Sequence, residues 1–245
     1  MSVRIVPLRL AAFEQLPKHA RRCVFWEVDP AILSAGDYLP DPEFEKEAWL
    51  SMVMLEWGSC GQLATPVPAA GSDALEHDSG DEQPCLGYVL YAPPRAVPRA
   101  QRFPTGPVSA DAVLLTTMGT EPGQADGLPQ ALISQVVSEL IRRGVRALEA
   151  FGRTPETDEL LGADAVDPEL QPVVDALGDC SFEQCMIDAD FLLDAGFTVV
   201  APHRYFPRLR LELDKGVGWK AEVEADLERL RESSQQISLG AEVRS

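Results

Sequence analysis

The groups in this chain best suited to chemistry lie between Asp111 and Phe151, where a strand, a glycine-bearing turn and a helix follow one another closely. The strand candidate Asp111-Ala112-Val113-Leu114-Leu115-Thr116-Thr117-Met118 runs into the turn Gly119-Thr120-Glu121-Pro122-Gly123-Gln124-Ala125-Asp126-Gly127-Leu128. Beyond it Ile133, Val136, Val137, Leu140 and Ile141 recur with a 3.6-residue period, and Ser134, Gln135, Ser138, Glu139, Arg142 and Arg143 fill the other face. Pro129 suits the first turn of this helix and Gly144 its end. The first-turn N–H groups of such a helix have no partner within it and carry the positive end of its dipole, so the turn predicts a phosphate-binding loop. Asp126 adds a negative charge there, and could point away and cap the helix instead.

The other reactive groups are sparse. The five cysteines, Cys23, Cys60, Cys85, Cys180 and Cys185, form an odd and scattered set that fits reduced thiols better than a disulfide framework. Cys180 and Cys185 have the closest spacing. With no second cysteine pair and only His19, His77 and His203 to add, no metal site is expected.

Gln124-Ala125-Asp126-Gly127-Leu128-Pro129 resembles the Gln/Arg-x-x-Gly-x-Gly/Ala turn of the GNAT superfamily of N-acetyltransferases, which follows the fourth strand of those enzymes and cradles the pyrophosphate of acetyl-CoA. Gln124 and Gly127 match, and Pro129 stands where a small residue normally lets the loop approach the cofactor. Phe191-Leu192-Leu193-Asp194-Ala195-Gly196-Phe197 resembles the Leu-Tyr-x-x-x-Gly-Phe end of the GNAT fourth helix, and the strand pair around Thr198 to Leu213 is what should follow. The resemblance covers about Leu86 to Leu213, and more loosely the N-terminal third. It departs at Leu192, where many of these enzymes place a tyrosine as general acid for the CoA thiolate. The chain also has no asparagine, so the one often found after the fifth strand is missing.

The resemblance implies a mixed α/β fold, with a mostly antiparallel twisted sheet splayed between its fourth and fifth strands and helices on both faces. It also implies acetyl-CoA as co-substrate, transferred to an amine on a small molecule or a protein. Leu115, Thr116, Thr117 and Met118 match the strand that pairs with the pantetheine arm, and Gln124, Ala125, Asp126, Gly127 and Leu128 the pyrophosphate turn. An ammonium cannot attack a thioester, so a base must remove a proton, and backbone N–H groups must hold the developing oxyanion. The candidates for the base are Asp111 at the start of the fourth strand, Glu149 on the fifth, and Glu27 near the acceptor side. Leu192 and Pro129 keep open a GNAT-like domain that binds CoA or a protein partner without catalysis, and a third reading is an interaction protein with an empty cleft that docks onto a partner by its acidic loop and C-terminal helix.

Around these groups, Val3 to Leu10 reads as a first strand, and Phe44 to Trp57 as a helix with Trp49, Val53 and Trp57 on one side. Strands return at Gly61 to Thr65 and at Leu86 to Tyr91. The stretch Thr65 to Pro84, rich in Pro, Ala, Gly, Ser and acid, reads as a mobile hairpin insertion, and Arg153 to Asp179 as a second insertion. Arg95, Arg99 and Arg102 lie among prolines in what reads as a solvated hairpin tip. Trp26 and Trp49 are expected in the core, and His203 and Tyr205 on a hairpin turn. Arg208 to Leu213 alternates with period two, the mark of a half-buried strand. Trp219, Val223, Leu227 and Leu230 line a last charged helix, about 219–233, that must pack on the same domain or on a second copy of the chain as a homodimer. One GNAT-like domain spanning 1–245 accounts for all of this.

At 245 residues and 45% hydrophobic content the chain can bury a sizeable core. Its net charge of −18 argues against nonspecific binding to nucleic acid or anionic membrane and favours a cationic acceptor, while the same acidity also serves solubility. The first residues lack the apolar core of a secretion signal, and no apolar run nears the roughly 18 residues needed to span a bilayer, so a cytoplasmic location is expected. Seventeen arginines against four lysines suggest a GC-rich bacterial source.

Overall fold

The apolar runs of the sequence pair into one open sheet. A computed structural model describes residues 3–29, 40–67, 84–123, 127–160 and 182–213 of the chain. Its strands are β1 (Val3–Pro7), β2 (Gly61–Pro66), β3 (Gly87–Ala92), β4 (Ala112–Thr120), β5 (Ala147–Arg153), β6 (Ile187–Asp188), β7 (Thr198–Ala201) and β8 (Arg208–Glu212). The sheet order is β1-β2-β3-β4-β5-β8-β7, with β6 paired to β5. Every neighbouring pair is antiparallel except β4 with β5 and β5 with β6.

The helices are α1 (Lys18–Arg22), α2 (Pro42–Glu56), α3 (Leu128–Arg142), α4 (Phe182–Cys185) and α5 (Ala189–Asp194). Asp41 starts α2 by accepting the Phe44 N–H. In α3 the buried stripe is Leu128, Leu132, Ile133, Val136 and Leu140, so Val137 and Ile141 of the expected stripe sit at its margin. The chain after α5 turns back by Phe197 N–H to Leu192 O, which makes Ala195-Gly196-Phe197 a helix terminator.

Helices cover both faces of the sheet, and β3 and β4 are accordingly buried on both sides over most of their length. On one face Leu63, Tyr88, Leu90, Leu114, Ala147 and Phe151 join Trp49, Leu50 and Val53 of α2 in the main core. Gly87, the neighbour of Tyr88, points the other way, where Leu132 of α3 lies. Trp26, as expected, is at the centre of the core, stacked on Phe151 at 5.4 Å and tilted against Phe103 at 5.2 Å.

The proline- and arginine-rich stretch after β3 is not a solvated tip. It forms two 3-10 turns, Pro94–Ala96 and Pro98–Gln101, that bury Val97, Ala100 and Phe103. Arg99 is buried as well, donating to the Phe25 carbonyl with its guanidinium 4.3 Å from the Phe25 ring centre. Its planar cation is satisfied by a carbonyl and an aromatic face, partners that a composition argument does not see.

The cysteine expectation also needs correction. Cys23, Cys60 and Cys85 are thiols, but Cys185 is disulfide-bonded. Spacing along a chain does not determine which sulfurs come within bonding distance in space. Residues 68–83, 161–181 and 214–245, which carry most of the two expected insertions and the whole of the last helix, lie outside the described residues, as do Gln124, Ala125 and Asp126. The chain divides into two units, Met1–Glu212 and Leu213–Ser245, and every element named above belongs to the first. Among the described residues no helix is long and apolar enough to cross a membrane.

Candidate active site

Strands β4 and β5 run side by side for only three residues, Ala112 with Ala147, Val113 with Leu148 and Leu114 with Glu149. Past Leu114 they part, so among the described residues the β4 edge from Leu115 to Thr120 has no ladder partner on that side. One register step later β4 bulges. Leu90 faces Thr117 while Tyr91 faces Leu115, which leaves Thr116 as the extra residue. Its hydroxyl is buried and donates to Leu90 O at 3.0 Å. A bulge beside an unpaired strand edge frees backbone N–H groups for something other than the sheet.

The chain leaving β4 leads to α3. Gly127 is the N-cap of α3 at φ 97°, and a Cβ built there meets nothing within 4 Å. Only glycine adopts that backbone at little cost, and the space above it is open. Among the described residues no side chain caps this end, which suits its first-turn N–H groups to an anion.

On the face of the sheet that carries α1, a cavity of about 250 Å³ is lined by His19, Tyr88, Met118, Gly119, Glu121 and Gln184 among others. The Tyr88 ring lies across Gly119, whose added Cβ would come 2.9 Å from Tyr88 Cε1, so glycine at 119 makes room for the tyrosine. Burial holds the Tyr88 hydroxyl well above its ordinary pKa, and burial pushes the Cys85 thiol up to about 11. Both groups therefore stay protonated at neutral pH. Glu121 is the one carboxylate among the lining residues. At the far end of the gap the two residues of β6 pair with Gly152 and Arg153, and α4 and β6 pack against β4.

The carboxylates singled out in the sequence sit elsewhere. Asp111 and Glu149 meet through Arg210, which makes two bonds to Asp111 at 3.0 and 3.1 Å and one to Glu149 at 3.1 Å. Glu149 is fully buried and also accepts from Arg208 at 2.8 Å and from the Ser109 N–H at 3.0 Å. Burial pushes its pKa up, but the bonds from Ser109 and Arg210 and the charge of Arg208 outweigh that and leave it below the ordinary value. The Arg210 bond likewise lowers Asp111. Asp111 stands five residues before Thr116, about 16 Å along the strand, at the closed end of the gap. Glu27 has a different partner, Lys46, 2.5 Å away in the core. Leu192, at the position of the missing tyrosine, is wholly buried.

Sequence reasoning passed over Tyr88, Glu121, His19 and Gln184 as site residues. Tyr88 reads as one more apolar position of a strand, and His19 and Gln184 come to the cavity from distant parts of the chain. His203 serves its turn, its Nδ1 accepting from the N–H groups of Tyr205 and Phe206.

No family model and no curated protein sequence matches the chain. Similar solved structures include the PaiA N-acetyltransferase of Thermoplasma acidophilum in complex with coenzyme A, 13% identical over 86% of this chain and 99% of that one, at a TM-score of 0.44. Another is an N-acetyltransferase of Staphylococcus aureus Mu50, 10% identical over 87% of this chain and 100% of that one, at 0.46. The GNAT domain of S. lividans PAT is 14% identical over 86% and 90% of the two chains, at 0.43. The chain's own sheet order, its splay between β4 and β5 and its helices on both faces make the fold mixed α/β, with the open, mostly antiparallel sheet that the resemblance to the GNAT superfamily implied.

Proposed function

We propose that the protein is an acetyl-CoA-dependent N-acetyltransferase acting on an amine. The observation that carries this reading is the edge of β4 beside its bulge, followed by the N-terminus of α3 at Gly127, neither of them paired or capped by any described residue. The pantetheine amides pair with Leu115, Thr116, Thr117 and Met118 as an added strand. The pyrophosphate rests on the N–H groups of Gly127 and Leu128, with Gln124, Ala125 and Asp126 completing the turn. Freed N–H groups at the bulge hold the oxyanion that forms on the thioester carbonyl.

The acceptor amine enters by the cavity beside Met118. Glu121 draws in the cationic amine and takes its proton through water; the amine nitrogen then bonds to the carbonyl carbon as the carbon–sulfur bond breaks. The nitrogen's second proton reaches the CoA thiolate by way of the Tyr88 hydroxyl, which gives one proton as it takes another and so is not left ionised; Tyr88 stands in for the tyrosine absent at Leu192. Asp111, Glu149 and Glu27 are ion-paired in the resting protein, and the first two are held as weak bases; their role is to fix β4, β5, β8 and the core.

Release of CoA thiol from acetyl-CoA, measured with a panel of cationic amines, tests the proposal. Tyr88→Phe and Glu121→Gln should each lower kcat/KM on the order of 10² to 10⁴-fold, with Asp111→Asn close to wild type. A large loss in Asp111→Asn with none in the other two would return the base to the start of β4. The second reading is a domain that binds CoA or a protein partner without turnover. Leu192 and the insertion of α4 and β6 beside β4 favour it, and acetyl-CoA binding with no release against any amine would establish it.

A further inference from the structure

His19 at the start of α1, Cys23 just after it and Cys185 at the end of α4 bring one nitrogen and two sulfurs together, all within 4.8 Å of one another. Cys23 Sγ is 3.5 Å from Cys185 Sγ, and His19 Nε2 is 3.8 Å from Cys185 Sγ. Tetrahedral zinc with sulfur at about 2.3 Å and nitrogen at about 2.0–2.1 Å sets its ligands about 3.8 Å apart for two sulfurs and about 3.6 Å for sulfur and nitrogen. These two separations are within a few tenths of an ångström of those edges, and the third, His19 to Cys23, is no more than 4.8 Å. A backbone hydrogen bond with Gln184 holds the imidazole, the kind of outer contact that orients metal-bound histidines.

One fact stands against a permanent metal: Cys185 is disulfide-bonded, and a disulfide sulfur is not a thiolate ligand. We propose that His19, Cys23 and Cys185 form a zinc-type site that assembles when the Cys185 disulfide is reduced. Reduction takes two electrons and two protons from a dithiol, which leaves as its own disulfide. The cation then displaces the thiol protons of Cys23 and Cys185 to solvent, and two thiolates with a neutral imidazole balance its charge. The site is independent of the acetyltransferase reading, since nothing in it requires acetyl-CoA.

The test uses cobalt(II) as an optical stand-in for zinc, on full-length protein reduced with a phosphine, which supplies the two electrons without adding thiols. Reduced wild type should give a thiolate-to-cobalt charge-transfer band at one cobalt per chain, discharged by one equivalent of zinc. Oxidised protein should show no band. Cys23→Ser and His19→Ala should each weaken cobalt binding at least tenfold, and Cys60→Ser should leave it unchanged. If Cys23→Ser fails to fold, by circular dichroism, His19→Ala carries the comparison. Absence of the band in reduced wild type, an equal band in oxidised protein, or a band untouched by both ligand variants would each overturn the proposal.

Discussion

Replacing Lys46 by Met should cost the protein a large part of its stability. Lys46 Nζ is 2.5 Å from Glu27 Oε1, and each side chain keeps only 2% of its exposure. The second oxygen of Glu27 has no hydrogen-bond partner among the described residues, so the bond from Lys46 is what compensates that carboxylate. Lys46→Met preserves length and the packing on Trp49 but leaves a buried charge alone, a change worth about 3–5 kcal/mol. At the usual entropy of unfolding for a chain of this size that is a fall in Tm of roughly 6–20 °C. The double variant Glu27→Leu/Lys46→Met removes both charges, and should recover most of the loss because two buried charges replaced by apolar groups are often neutral or stabilising. Urea unfolding at pH 7, read as midpoint and slope, measures all three proteins, and the cycle should show a coupling above about 2 kcal/mol. A Lys46→Met protein within about 1 kcal/mol of wild type, or a double variant as unstable as the single, would refute a structural pair and return Glu27 to the candidates for chemistry.

Gly127→Val should lower stability by only about 1–2 kcal/mol, the cost of a left-handed backbone, because its Cβ meets no protein atom. It should weaken acetyl-CoA binding at least tenfold in a calorimetric titration; equal affinity in a folded variant would show that no phosphate sits there. Glu149, with its folded pKa below the ordinary 4.5, contributes stability that is full above 4.5 and is lost as pH falls through the lower folded value. Glu149→Gln should therefore be less stable at pH 7 and show a flatter decline as pH falls below 4.5 than wild type, and parallel curves would contradict the ion-pair role.

What the sequence disclosed follows the reach of each signal. The 3.6-residue stripe of α3 and the period-two strand β8 were readable because each element buries one face, and that requirement repeats along the chain. The alternation of Arg208, Leu209 and Arg210 held more than it showed, since the two arginines reach the buried Glu149 on the neighbouring strand. Pairing between strands far apart in sequence leaves no such mark. The parting of β4 from β5 was expected only through the resemblance to the GNAT superfamily, and the bulge at Thr116 and the meeting of His19 with Cys185 depend on contacts that local pattern does not encode. Arg99 was misread for the same reason: composition makes an arginine among prolines look exposed, whereas a carbonyl and the Phe25 ring await it in the fold.

Thermal unfolding with increasing acetyl-CoA tests the central claim most directly. A ligand bound only by the folded state adds about 2.7 kcal/mol at a hundred times its Kd, which for a chain of this size raises Tm by roughly 5–10 °C. The account predicts that rise for acetyl-CoA and a clearly smaller one for Gly127→Val. A Tm unmoved by acetyl-CoA at millimolar concentration would contradict it.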